Sequence, residues 1–131
     1  MDLPSFFRHA KRMALESDQE HRLGACVVKS GRVLSVGKNA VNKTNWVTRR
    51  FFEYPTVHAE CSALARLSPE NIRGATLYIY REKWTGVPGL AKPCPRCAEA
   101  IAENGITKVV YTTNEAPFYA YWYPQRELIA A

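Results

Sequence analysis

No apolar run in this sequence approaches the roughly 18–20 residues that a membrane-crossing helix needs, so no span is expected. The opening MDLPSFFRHAKRM holds no uninterrupted apolar stretch and does not read as a secretory signal, which makes a cytoplasmic protein the expectation. Cysteine is scarce, with 4 in 131 residues. Without a secretory signal a disulfide framework is not expected. Cys26 and Cys61 have no close cysteine neighbour, which argues against a structural zinc site built from two close cysteine pairs. Acid is missing from His21 to Phe52, where Arg22, Lys29, Arg32, Lys38, Lys43, Arg49 and Arg50 hold much of the +6 net charge. Such a stretch either attracts phosphates or is a solvated face of a basic protein. Repeats and linkers are absent too. With 47% apolar and 23% charged residues, one globular domain over residues 1–131 is expected.

What is present is a regular alternation of elements. Phe6, Ala10, Met13, Ala14 and Ser17 fall at helical spacing, with Pro4 suited to the first turn, predicting a helix over 4–17. Two β-branched runs, 24–29 and 32–37, flank Ser30-Gly31 as a tight hairpin. Residues 38–57 show little periodicity, and a loop that long in a compact domain is usually functional. A helix is predicted over 57–67, a strand over 75–80, a loop over 81–93, a helix over 94–104 ending at Gly105, and a strand over 107–112. Helices joining successive strands imply an α/β fold with a largely parallel segment of sheet and the hairpin as its antiparallel edge. The tail is ambiguous. Phe118, Tyr119, Tyr121, Trp122 and Tyr123 suit either a short edge strand or a cover over the sheet edge, and such rings can also stack nucleobases.

Ligands of open α/β sheets bind beyond the carboxyl ends of the strands, where the helices begin. Both predicted crossover helices begin with metal-binding residues: His58 in VHAECSAL, and Cys94 and Cys97 in KPCPRC. A Cys-x-x-Cys alone would serve equally as a redox dithiol or a structural clip. One His plus two Cys makes three protein ligands, which leaves a fourth position for water, as in catalytic rather than structural zinc sites. A zinc ion lowers the pKa of bound water from about 15.7 toward 7. Glu60, two residues past His58, projects to another side of its helix and is placed to move protons without being a ligand. Lys92 and Arg96 flank the cysteines and favour thiolates. Cys61 and Cys26 read as buried small hydrophobes, and His9 and His21 as non-ligands.

The HAE of residues 58–60 followed by the PCPRC of 93–97 matches the H-x-E…P-C-x-x-C signature of zinc nucleobase deaminases. With GACVVKSGRVLSVGKN before it and AEAIAENGITKVVY after it, the chain resembles the cytidine/deoxycytidylate deaminase superfamily over about residues 5–113. The resemblance implies a three-layer α-β-α fold with a central mixed sheet of four to five strands, order 2-1-3-4-5, and helices on both faces. It implies one zinc ion on His58, Cys94 and Cys97, with Glu60 as general acid and base. Asn39 would hold sugar or base, and Ala59, Trp46, Trp84, Lys92 and Pro93 are the further candidate substrate contacts. The implied reaction converts cytosine to uracil in a nucleotide or single-stranded DNA. An adenosine deaminase acting on tRNA or other RNA is the alternative enzyme, and a zinc-stabilised nucleotide- or nucleic-acid-binding domain the alternative without catalysis. Self-association through sheet edges and helices is a further expectation.

Overall fold

The computed structural model describes residues 2–41, 47, 50, 56–83, 85 and 87–126. Its elements are α1 (Phe7–Glu16), β1 (Arg22–Lys29), β2 (Arg32–Lys38), β3 (Ala40–Val41), β4 (Thr56–Val57), α2 (Ala59–Ala65), α3 (Pro69–Ile72), β5 (Thr76–Glu82), α4 (Pro95–Glu103), β6 (Lys108–Thr112) and β7 (Tyr119–Trp122). Among the described residues no helix is long and apolar enough to cross a membrane.

The β1–β2 hairpin turns at Ser30 (φ 53°) and Gly31 (φ 74°), the paired positive φ values that a two-residue hairpin loop requires. Five strands then form one sheet in the order β2-β1-β5-β6-β7. Period-2 alternation divides their side chains between two faces. Cys26, Val28, Tyr78, Tyr80 and Val110 meet Phe7, Ala10 and Ala14 of α1 on one face. Ala25, Val27, Leu77, Ile79 and Val109 meet Ala63 and Leu64 of α2 and Cys97, Ala100 and Ile101 of α4 on the other. The expected three layers and strand order are therefore present. The crossovers give β2, β5 and β6 a common direction. Because β1 lies between β2 and β5 and is antiparallel to both, only β5 and β6 pair as parallel neighbours.

The ambiguous tail is the fifth strand: Tyr119–Trp122 pairs antiparallel with β6 from Thr112 back to Val109. α2 begins two residues later than the 57–67 pattern predicts. Thr56 and Val57 are instead held extended by pairing with Val41 and Ala40, a small ladder that also closes the base of the long connection. That connection is anchored at Val47, which is fully buried in the larger core.

Two glycines allow the helices to approach the sheet. A Cβ at Gly24 would strike the Ala10 carbonyl oxygen and come within 2.5 Å of Ala14 N, both in α1. A Cβ at Gly37 would lie 2.5 Å from Ala63 N and 2.7 Å from Ala59 O, both in α2. Close packing of α2 on β2 through Gly37 fixes where α2 starts, and the site is built at that start.

Candidate metal centre and active site

His58 is the N-cap residue of α2, with extended backbone (φ −82°, ψ 153°) and no capping bond from its ring. The imidazole instead faces α4, where it meets the two cysteines. Cys94 is the N-cap of α4, its sulfur accepting from Cys97 N–H at 3.5 Å, and Pro95 opens the first turn. His58 Nδ1 lies 3.1 Å from Cys97 Sγ and 3.7 Å from Cys94 Sγ. All three donor atoms fall within 4.8 Å of one another, and among the described residues they form the one such group of three.

The two thiols are shifted in opposite directions. A hydrogen bond from Cys97, assisted by His58 and the Cys97 N–H, holds the Cys94 thiol down to about 4. Cys94 is therefore a thiolate at neutral pH, as expected of a sulfur at a helix start. Cys97 is pushed the other way, by its neighbours Cys61 and Cys94 and by burial. His58 is raised above its ordinary value, chiefly by its hydrogen bond with Cys94. An imidazole nitrogen and two sulfurs so close, one sulfur already ionised, are a donor set that suits zinc.

Glu60 lies in the first turn of α2 and is only 4% exposed. Burial raises its carboxyl, while its own backbone N–H, His58 and a hydrogen bond with Cys97 pull it back. It therefore adjoins the three donors without belonging to their compact group.

The family model described as the cytidine and deoxycytidylate deaminase zinc-binding region matches residues 2–113. The chain belongs to this family. The deoxycytidylate deaminase of Mycobacterium phage D29 is 32% identical over 125 residues, 81% of this chain and 90% of that one. The tRNA-specific adenosine deaminase of Aquifex aeolicus (strain VF5) is 31% identical over 109 residues, 80% of this chain and 59% of that one. The crystal structure of dCMP deaminase from the cyanophage S-TIM5 in complex with dCMP and dUMP superposes with a TM-score of 0.61 at 27% identity, covering 83% of this chain and 79% of that one. The protein is thus a cytidine/deoxycytidylate-type deaminase of a zinc-binding family, and its His58, Cys94 and Cys97 can hold the metal.

The deaminase places its remaining candidate residues unevenly. Asn39 follows β2, next to the ladder that leads into His58. Its amide oxygen accepts from Ser17 Oγ (2.7 Å) and Leu23 N (3.0 Å), and its amide nitrogen donates to the His21 carbonyl (2.6 Å). Among the described residues both acceptor positions are used and one N–H is left over. Ala59 is buried in the larger core, Lys92 is exposed and Pro93 half-buried. Trp46 and Trp84 lie outside the described residues.

Thr112 gave no functional signal in the sequence. It is fully buried at the end of β6, accepting from Arg81 N (3.1 Å) and donating to the Gly89 carbonyl (2.8 Å). Its own carbonyl accepts from Ala91 N at 2.9 Å. These bonds tie the segment entering Cys94 to the sheet. Cys61, read as a core residue, is fully buried and also touches Cys97, a contact that its position three residues after His58 allows.

Proposed function

We propose that this deaminase hydrolyses the cytosine of a deoxycytidine monophosphate to uracil, with one zinc ion on His58, Cys94 and Cys97 and with Glu60 as the proton carrier. The observation that carries the chemistry is the buried Glu60 carboxyl set against the compact His58–Cys94–Cys97 group. The substrate rests on the deoxycytidylate deaminase of phage D29 and on the dCMP and dUMP held by the cyanophage enzyme.

Zinc held by His58, Cys94 and Cys97 would supply an activated water for the attack. Glu60 takes a proton from the attacking water and passes it to N3 of the ring. Once the C4–O bond has formed, Glu60 takes the remaining hydroxyl proton and delivers it to the amine as the C4–N bond breaks, so cytosine and water become uracil and ammonia. Burial of Glu60 keeps bulk water from competing for that proton. Asn39 offers its one remaining amide N–H to the sugar or base, and exposed Lys92 meets the phosphate.

Glu60→Gln tests this reading. Zinc content and thermal unfolding should stay near wild type while kcat on dCMP falls about 10²–10⁴-fold. Loss of zinc along with activity would make Glu60 a ligand instead. The similarity to the Aquifex enzyme sustains a second reading, adenosine in tRNA. A panel of dCMP, cytidine and a tRNA stem-loop separates the two: turnover of adenosine without turnover of dCMP would displace the first.

A further inference from the structure

Ser17 is the one polar member of the apolar stripe along the first helix, and it is only 7% exposed. It is the C-cap of α1, with extended backbone (φ −70°, ψ 136°), so the chain leaves the helix there and turns toward β1. Gly24 lets α1 lie close on the sheet, with Ala10 and Ala14 against it. The end of α1 is thereby brought beside the start of β1, where the Ser17 hydroxyl meets Asn39.

The Asn39 amide is held in one orientation. Leu23 N–H can only donate and the His21 carbonyl can only accept, so Oδ1 faces Leu23 at 3.0 Å and Nδ2 faces His21 at 2.6 Å. Turning the amide over would set donor against donor and acceptor against acceptor. Gln19 N–H donates to Ser17 Oγ at 3.3 Å, which occupies one lone pair of the hydroxyl. The hydroxyl proton goes to Asn39, 2.7 Å from Oδ1 and 3.3 Å from the backbone carbonyl oxygen. His21 and Leu23 belong to one stretch of chain at the start of β1. Their two bonds alone would let the amide plane tilt about the line between them. Ser17 comes from a different element and stops that tilt. It also fills the second acceptor position of Oδ1, so the amide keeps one N–H to offer and no acceptor.

We infer that Ser17 is a positioning residue for substrate: by donating to Oδ1 it fixes the plane of the Asn39 amide and makes that amide a donor only, which selects an oxygen of the sugar or base. The inference rests on the reading of Asn39 given above. Among the described residues the Ser17 hydroxyl meets neither Glu60 nor the three metal donors. Its effect is therefore on binding and not on the chemical step.

The test is a double-mutant cycle of Ser17→Ala and Asn39→Ala. It is read as the dissociation constant of dUMP for the zinc-loaded protein, beside kcat and KM on dCMP and the thermal midpoint. One neutral hydrogen bond is worth about two- to tenfold, so Ser17→Ala should weaken dUMP binding and raise KM by that factor, with kcat near wild type. In the Asn39→Ala background the same substitution should change dUMP binding by less than about twofold. If Ser17→Ala is unfolded at the assay temperature, Ser17→Cys replaces it under the same outcomes, since a thiol of similar shape is only a weak donor. Ser17→Ala that leaves dUMP binding unchanged while Asn39→Ala weakens it overturns the inference and spares the reading of Asn39. Equal effects of Ser17→Ala in both backgrounds, or a loss confined to kcat, also overturn it. Asn39→Ala without effect on dUMP binding overturns the reading of Asn39 and the inference with it. Coupled losses of dUMP binding in a protein that does not deaminate dCMP uphold the inference and overturn the reading of the metal centre.

Discussion

Thr112 is a buried hydroxyl whose two hydrogen bonds, to Arg81 N–H and the Gly89 carbonyl, hold the segment entering Cys94. Thr112→Val keeps the shape and removes both partners. A buried group left unsatisfied costs about 1–3 kcal/mol, so urea unfolding should show a loss of that size. Activity should fall with it, because the segment carrying Lys92 and Pro93 is released, while the α4 backbone that carries Cys97 stays packed. In the sequence Thr112 is only one more β-branched strand residue, and nothing in a period-2 pattern marks a hydroxyl that bonds across to another segment. The grouping of His58, Cys94 and Cys97 was legible for the opposite reason: reactive side chains at two helix starts have few structural uses that explain them all. Cys26 has a bland reading, a core residue, and a measurable consequence. Burial pushes its thiol from 9.0 up to about 12. Between those values the unfolded chain has lost a proton that the folded chain keeps, so stability falls as pH rises, by up to about 4 kcal/mol. The slope of unfolding free energy against pH in that window should be steeper in the wild type than in Cys26→Ala. The buried phenols of Tyr78 and Tyr80 are also raised, chiefly by burial; Tyr78 is raised in part by Cys26, so the difference between the two proteins includes that coupling.

At the scale of elements, what decides the site is how closely α2 approaches β2. The Cβ of Gly37→Ala would meet Ala63 N, Ala59 O and the Ser62 Cβ, at 2.8 Å for the last, so the helix backbone must shift. Gly24→Ala forces the same kind of shift on α1, across the sheet. Each should cost about 1–3 kcal/mol or more in unfolding. Only Gly37→Ala moves the helix that begins beside His58, so zinc affinity measured by chelator competition should fall on the order of tenfold in that variant alone. The elements themselves were largely legible, because hairpin turn, helix periodicity and β-branched runs are local signals. The Ala40–Val41 and Thr56–Val57 ladder was not, since its two-residue strands are too short to show a period. The tail resisted reading because aromatic residues suit a strand and an edge cover alike, and only the open backbone of β6 decides between them.

At the scale of the molecule, the metal centre joins two crossover segments that the sheet already holds apart. α2 and α4 are packed by Ala63, Leu64, Ala100 and Ile101 into the larger core, and α1 fills an independent core on the other face. Neither core needs an ion to bury its apolar surface. The zinc of this chain should therefore stabilise by mass action on a folded apo-protein, unlike the small zinc modules that unfold without metal. At a free concentration a hundredfold above its dissociation constant an ion adds about 2.7 kcal/mol, which for a domain of this length is about 10 °C in Tm. A chelator should lower Tm by about that much, abolish deamination and leave the far-UV circular dichroism at 25 °C unchanged, with zinc restoring both losses. Collapse of the spectrum on chelation would mean that the metal is the structural tie between α2 and α4. An unmoved Tm would mean that His58, Cys94 and Cys97 do not hold it. Neither result is expected, because the two cores predict a sheet that persists whether or not the ion is bound, while the bound ion still adds its binding energy.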